Sequence, residues 1–388
     1  MDGCRVKPTS GHVFAPLDPS TRTILFAGGG TGGHLFPGIA VAQAIVAVDP
    51  TVRPVFLCTQ RAIDRTILEP TGFEWIAQPI VPPARSIGGL LKFWRSWRET
   101  KDLIRTILSE RKPLAVLGLG GYAAGVAVKK AAQRGLPTAL LNPDVIPGKA
   151  NRYLMQYARL ICCQFEQTAA HTPPAYHAKL RTTGCPIRAG VIPLPPRAEA
   201  AGRLGLEPNR LTLVITGASQ GARTVNEAVL EALRGITLQG WQIVHLTGAD
   251  HADAVRQEYR DLALPARVID FTDRMGDVWA VADLCVSRSG ASTLAELTAS
   301  GVPSILMPYP FHKDLHQRAN AQVLASVGAA ELLDDLIDRR RNAERLRPLL
   351  AKLLYDATAR YYMSEKARAL GKPDAAERVA REFMHILP

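Results

Sequence analysis

Short apolar runs recur along the chain, each followed by glycine or polar turn residues and then by apolar residues at helical spacing. The first is Ile24-Leu25-Phe26-Ala27, which leads through Gly28-Gly29-Gly30-Thr31-Gly32-Gly33-His34 into Gly38-Ile39-Ala40-Val41-Ala42-Gln43-Ala44-Ile45. A continuous apolar run reads as a strand buried on both faces, and the spaced residues read as the helix that covers it. Further strands are predicted over 53–59, 75–77, 114–119, 138–141 and 160–163. Thr183-Gly184-Cys185-Pro186-Ile187-Arg188 and Pro193-Leu194-Pro195-Pro196 then form a stiff stretch that suits an interdomain linker. The pattern restarts with strand Leu211-Thr212-Leu213-Val214-Ile215-Thr216, glycine turn Gly217-Ala218-Ser219-Gln220-Gly221-Ala222 and a helix from Val225. Strands follow over 242–246, 267–269, 284–286 and 304–307, and helices dominate past Ala329. Alternating strands and helices predict an α/β protein of two parallel-sheet halves, with the ligand at the strands' carboxyl ends in the cleft between them.

Length and charge narrow this reading. A chain of 388 residues suits two domains, and its net charge of +12 suits anionic partners: phospholipid, nucleotide, diphosphate or nucleic acid. No basic run with interleaved aromatics appears, so nucleic acid ranks last. The cysteines at 4, 58, 162, 163, 185 and 285 form no CxxC pair, and no histidine cluster has metal spacing. Cys58 and Cys285 lie in apolar runs and read as buried thiols, which predicts a reducing, cytoplasmic compartment and no metal. Residues 1–22 are polar and lack the apolar core of a secretory signal, so they read as a mobile tail. The apolar span from Pro113 to Val128 is too short and too glycine-broken to cross a membrane.

The glycine loop carries the first chemistry. A strand-to-helix turn aims free N–H groups and a positive helix end at one point, which favours an anion. Gly28, Gly30 and Gly33 satisfy a dinucleotide fingerprint, but the second strand ends Cys58-Thr59-Gln60 with no ribose-binding acid, and Asp64 lies beyond it. A nicotinamide cofactor is therefore disfavoured. ATP hydrolysis of the P-loop type is disfavoured too, because His34-Leu35 stands where Lys-Ser or Lys-Thr is needed. No cofactor is expected. In the second half, Ser287-Arg288-Ser289-Gly290-Ala291-Ser292-Thr293-Leu294-Ala295-Glu296 opens another helix, with Ser292 or Thr293 able to cap it. Its N–H groups suit a diphosphate, and Glu296 one turn on could bind ribose hydroxyls or close a capping box with Thr293.

Ile87-Gly88-Gly89-Leu90-Leu91-Lys92-Phe93-Trp94-Arg95-Ser96-Trp97-Arg98 is of another kind. Large apolar residues interleaved with cations suit either a membrane-touching segment or an amphipathic helix packed on the core.

Taken together these motifs resemble the MurG family of UDP-N-acetylglucosamine transferases. The resemblance is carried by Gly29-Gly30-Thr31-Gly32-Gly33-His34 with Pro37, Gly120-Gly121-Tyr122, Pro147-Gly148 with Ala150-Asn151-Arg152, and Gly184-Cys185-Pro186-Ile187-Arg188. It continues in the family's order through Ser219-Gln220-Gly221-Ala222, Ser289-Gly290-Ala291 with Glu296, and His316-Gln317 with Asn320-Ala321. It implies the GT-B fold: an acceptor domain over 23–190, a donor domain over 197–373, and a last helix over 374–388 returning to the first domain. It implies inverting transfer of GlcNAc from UDP-GlcNAc to the MurNAc C4 hydroxyl of undecaprenyl-linked lipid I, at the cytoplasmic face of the inner membrane. For the donor it implies Thr31, Gly32, Gly33, Arg188, Ser219, Gln220, Thr272, Met275, Ala291, Ser292, Thr293, Glu296, His316 and Gln317, with Asp144 on the sugar. For the acceptor diphosphate it implies Gly29, Gly30, Gly120, Gly121 and Tyr122, and for the membrane Ile87, Leu90, Leu91, Phe93, Trp94 and Trp97. Other cell-wall synthesis proteins are possible partners.

The catalytic candidates are His34 and Asp144. The family usually carries His-Glu-Gln-Asn where this chain has Leu141-Asn142-Pro143-Asp144. Asn142 cannot act as a base, so His34 becomes the preferred base, with Asp144 either a sugar contact or a compensating carboxylate. Competing readings are a UDP-GlcNAc 2-epimerase, a diacylglycerol glycosyltransferase and a non-catalytic sugar-nucleotide-binding protein.

Overall fold

A computed structural model describes residues 22–83, 86–217, 221–311 and 314–388. Ser219 and Gln220 and the N-terminal tail through residue 21 lie outside them. Seven parallel strands form the first sheet: β1 (Arg22–Gly28), β2 (Val52–Cys58), β3 (Glu74–Ala77), β4 (Ala115–Gly120), β5 (Thr138–Asn142), β6 (Leu160–Cys163) and β7 (Leu180–Thr182), in the order β3-β2-β1-β4-β5-β6-β7. Six more form the second: β8 (Leu211–Thr216), β9 (Trp241–Leu246), β10 (Ala266–Ile269), β11 (Leu284–Ser287), β12 (Ser304–Leu306) and β13 (Glu331–Leu332), in the order β10-β9-β8-β11-β12-β13. The helices between the first strands are α1 (Gly32–Val48), α2 (Ala62–Leu68), α3 (Ile87–Glu110), α4 (Ala124–Gln133) and α5 (Lys149–Leu154). Those of the second half are α6 (Arg197–Leu204), α7 (Arg223–Leu233), α8 (Ala252–Asp261), α9 (Met275–Val281), α10 (Ala291–Ser300), α11 (His316–Ser326), α12 (Arg339–Tyr355), α13 (Ala357–Leu370) and α14 (Ala375–Met384).

Strand periodicity explains the layering. Along β1, Ile24 and Phe26 point into one core with Leu35, Val41 and Phe56, while Leu25 and Ala27 point into the other with Ile104 and Leu140. Helices cover both faces, so the strands are apolar throughout. Val379, Ala380 and Phe383 of α14 belong to the first of these cores, so the chain's last helix packs on the first sheet. Residues 183–196 cross between the sheets without strand or α-helix. Val145 and Phe165 of the first half and Val191 of the crossing share a core with Val214, Leu246, Met275, Trp279 and Leu294 of the second. Cys58 and Cys285 are fully buried, and burial pushes both thiols up to about 12.

Each sheet reverses its strand order once, between β1 and β4 and between β8 and β11. In doubly wound sheets that reversal opens a crevice at the strands' carboxyl ends. The glycine loop after β1 and the Ser289-Gly290 turn after β11 stand at these two points.

Candidate functional site

Asp64 shapes the glycine loop from beneath. Its fully buried carboxylate accepts from Gly30 N–H at 2.7 and 2.9 Å, from Thr59 N–H at 2.8 Å and from the Thr59 hydroxyl at 2.7 Å. A Cβ at Gly29 would collide with Asp64 Oδ2, so the loop needs glycine there. The acid that lay too far along the sequence to hold a ribose is thus the loop's anchor. Gly30 N–H is consequently committed and cannot serve an acceptor diphosphate.

His34 sits in the first turn of α1. Its Nδ1 lies 3.2 Å from the Gly29 carbonyl and 3.2 Å from Thr31 Oγ1. A carbonyl only accepts, so Nδ1 carries the proton and Nε2 the lone pair. Burial lowers the imidazole pKa; the Gly29 hydrogen bond and the charges of Asp144 and Asp64 act the other way. Gly120 and Gly121, both at positive φ, pack on the ring: a Cβ on either would stand 3.1 Å from it. Gly29, Gly30, Gly120, Gly121 and Tyr122 therefore gather around His34 and behind the loop, outside the lining of the main cleft cavity.

That cavity, about 430 Å³, lies between the halves. The first contributes Thr31, Gly32, Gly33, His34, Phe36, Pro143 and Asp144, and the second contributes Thr272, Met275, Ala291, Ser292, Thr293, Glu296, His316 and Gln317. Arg188 lines it from the crossing. So the described donor-site candidates converge on one cavity, with the N-terminal turns of α1 and α10 facing it from opposite sides. The cap of α10 is Gly290, not Ser292 or Thr293, whose side chains sit in the first turn.

Glu296 forms no capping box. Its Oε2 accepts from Trp279 Nε1 at 2.8 Å, and Oε1 lies 3.8 Å from Arg188 Nε. Burial raises its pKa against the pull of Arg188 and Trp279. Arg188 also stacks on Phe36, 5.0 Å from the ring centre, and so links the two halves. Asp270, Phe271 and Leu246 join Thr272 and Met275 at one end. At the other, Asp314 holds His316 Nδ1 at 2.8 Å, and Gln317 Oε1 accepts from Tyr309 N–H at 3.0 Å. Asp144 Oδ1 accepts from Asn320 Nδ2 at 2.7 Å across the cleft. Asn142 is spent locally: it donates to the Asp144 carbonyl at 2.8 Å and accepts from Asn151 at 3.1 Å.

Away from the cleft, Ser86 Oγ caps α3 by accepting from Gly89 N–H at 3.2 Å. Ser96, Thr100, Ile104, Ile107 and Leu108 face inward, whereas Ile87, Leu90, Leu91 and Trp94 are exposed. Phe93 is half-buried. Trp97 departs from the expected patch: it packs against the first-half core and over Gly125. No helix among the described residues is long and apolar enough to cross a membrane.

With this geometry in view, residues 24–162 match the glycosyltransferase family 28 N-terminal domain and residues 212–379 its C-terminal domain. A relative from Thermodesulfovibrio yellowstonii is 36% identical over 367 residues, covering 92% of this chain and 96% of its own. The chain belongs to glycosyltransferase family 28.

That relative is named UDP-N-acetylglucosamine--N-acetylmuramyl-(pentapeptide) pyrophosphoryl-undecaprenol N-acetylglucosamine transferase. One of the same name, numbered 1, from Bacillus thuringiensis is 33% identical over 363 residues and covers 92% of this chain and 97% of its own. The crystal structure of Acinetobacter baumannii MurG superposes with a TM-score of 0.73 at 26% identity, covering 94% of this chain and 99% of that one. The fold is the GT-B pair of parallel-sheet domains. A Listeria monocytogenes protein named a putative UDP-N-acetylglucosamine 2-epimerase, at 14% identity and a TM-score of 0.66, shares the fold alone.

Asp64, Phe36, Trp279 and Asn320 were not assigned roles from sequence. Only Asn320, within a family motif, left a signal there.

Proposed function

We propose that this family 28 chain transfers GlcNAc from UDP-GlcNAc to the C4 hydroxyl of MurNAc in undecaprenyl-diphosphate-MurNAc-pentapeptide, with inversion. The observation that carries the reading is the single cavity into which α10 brings its N-terminal turn and Glu296, and α1 brings its own turn and His34. The α10 turn and Arg188 suit the donor diphosphate, and Glu296 suits the ribose, beside Thr272 and Met275 at the base. His316, Gln317 and Asp144 suit the sugar. His34 Nε2 takes the hydroxyl proton as oxygen attacks the anomeric carbon. The bond from that carbon to the UDP oxygen breaks, and its electron pair leaves with UDP. Helix-end N–H groups and Arg188 stabilise the charge that develops there. A positioned base is worth ~10²–10⁴ in rate.

The exposed apolar face of α3, with Lys92, Arg95 and Arg98 beside it, suits peripheral binding to an anionic cytoplasmic leaflet, where the lipid acceptor resides. The test is incubation with UDP-GlcNAc and a lipid I analogue. The disaccharide product is expected, and His34→Ala should slow its formation by ~10²–10⁴-fold at unchanged folding. Formation of UDP-ManNAc, or UDP release indifferent to acceptor, would overturn the reading. Near-normal turnover of His34→Ala beside loss in Asp144→Ala would move the base to Asp144.

A further inference from the structure

Asn320 lies on α11 in the second half, is fully buried, and makes its best hydrogen bonds in the first half. Its Oδ1 accepts from Val145 N–H at 2.8 Å, and its Nδ2 donates to Asp144 Oδ1 at 2.7 Å. A longer contact of 3.4 Å runs from Nδ2 to the Ser289 carbonyl in its own half. The orientation is fixed, because Val145 N–H can only donate and so selects the amide oxygen. The amide then faces the carboxylate with a donor. A carboxylate at this position would repel Asp144, and an apolar residue would leave both partners unpaired.

The rest of the loop is held from within the first half. Asn142 donates to the Asp144 carbonyl, and Asn151 donates to the Leu141 carbonyl at 2.9 Å. The backbone is thus held locally up to Asp144, while the Val145 N–H and the Asp144 carboxylate are held from the opposite domain. His34 lines the same cavity from the same half, and the charge of that carboxylate acts to raise its pKa.

We propose that Asn320 is a positioning residue: from the second domain it fixes the Asp144 carboxylate as the counter-charge of the His34 proton acceptor. The inference rests on His34 as the base. When the acceptor hydroxyl gives its proton to Nε2, an imidazolium forms on a half-buried ring, and a fixed carboxylate stabilises it. Asp144 then supplies the negative charge that Asn142 lacks. The other charged groups around His34 are already engaged. Asp64 on α2 holds Gly30 and Thr59; Arg61 donates to the Gly30 carbonyl; Arg188 stacks on Phe36 and pairs with Glu296; and Asp314 holds His316. Tyr122, on the loop after β4, also approaches the glycine loop.

The test is titration of His34 by NMR in the full chain with ring-labelled histidine, alongside the pH dependence of kcat/KM. Asn320→Ala and Asp144→Asn should each lower the His34 pKa. The effect of Asn320→Ala should largely vanish when Asp144 is already Asn. The acid limb of kcat/KM should move to lower pH in both, and its plateau should fall at least roughly tenfold. UDP affinity, read on the second domain, reports folding. If Asn320→Ala does not fold, Asp144→Asn, which keeps the shape, carries the same titration. An unmoved His34 titration in a folded variant overturns the proposal, whatever happens to turnover. A moved titration beside an active His34→Ala leaves the coupling standing and removes His34 as the base.

Discussion

Removing the Asp64 carboxylate tests how the glycine loop is built. Asp64 is fully buried and its two oxygens accept from Gly30 N–H, Thr59 N–H and the Thr59 hydroxyl. In Asp64→Ala the hydroxyl can rotate to another acceptor, but the two N–H groups lose their partner. Each orphaned buried donor costs about 1–3 kcal/mol, so the loss centres on roughly 4 kcal/mol. For a domain of this size that lowers Tm by roughly 8–16 °C. Asp64→Asn separates hydrogen bonding from packing. It keeps the shape and one acceptor, yet turns an amide NH2 towards donors, so it should lose a sizeable part of the same stability. Differential scanning calorimetry with and without UDP gives the assay. UDP stabilises the domain that binds it, which lets the first-domain transition be followed separately. Transitions within a degree of wild type for both variants would refute the anchoring role.

Glu296→Ala should raise KM for UDP-GlcNAc roughly 10–100-fold with a smaller change in kcat, the range for a lost charge-assisted hydrogen bond; unchanged steady-state KM would take Glu296 out of the donor site. Leu91→Ser with Trp94→Ser should lower partitioning onto anionic vesicles by at least about tenfold, from the apolar area withdrawn, with Tm nearly unchanged because both residues are exposed. Equal sedimentation with vesicles would exclude this face as the membrane contact. Burial pushes the His245 imidazole from 6.5 down to about 3, between Tyr259 and Asn226. The unfolded chain therefore takes a proton below pH 6.5 that the native state refuses until about 3, so stability is full above that window and is lost as pH falls through it. The slope is roughly 1.4 kcal/mol per pH unit. In His245→Gln, urea titrations across the window should show that slope removed; an unchanged slope would sink the assignment.

What sequence pattern could show was what neighbours along the chain decide. The long strands were legible because Ile24-Leu25-Phe26-Ala27 and its counterparts are buried on both faces. Leu180–Thr182 and Glu331–Leu332 were missed, since two or three residues with a charge among them become strands only by pairing with β6 and β12. The residues beside the glycine turns were legible for the same local reason. Asp64, Trp279 and Asn320 were not, because their partners Gly30, Glu296 and Asp144 stand 34, 17 and 176 positions away. The α10 cap was misplaced because the chain turns helical right after Gly290, before the hydroxyl residues. Trp97 leaves the expected patch because three residues past Trp94 is about 300° of rotation, about 60° short of a full turn, which carries it from the exposed face onto the core.

The two glycine turns show why similar loops take different work. Both place a helix N-terminus with no acidic residue in its first turn at the same cavity. After β1, however, the protein's own carboxylate already fills part of the loop: Asp64 holds Gly30 N–H, and the Gly29 carbonyl is turned to His34. The loop's polarity is spent on fixing a histidine tautomer rather than on gripping a phosphate. After β11 no such carboxylate intervenes among the described residues. The small residues Ala291, Ser292 and Thr293 leave the α10 turn open to the cavity, and the nearest acid, Glu296, is held one turn deeper by Trp279. One end is thereby left to receive an anion and the other to present Nε2 as a proton acceptor. On the proposed mechanism, nucleophile activation and leaving-group stabilisation would thus fall on opposite walls of the cleft, where an in-line displacement with inversion needs them.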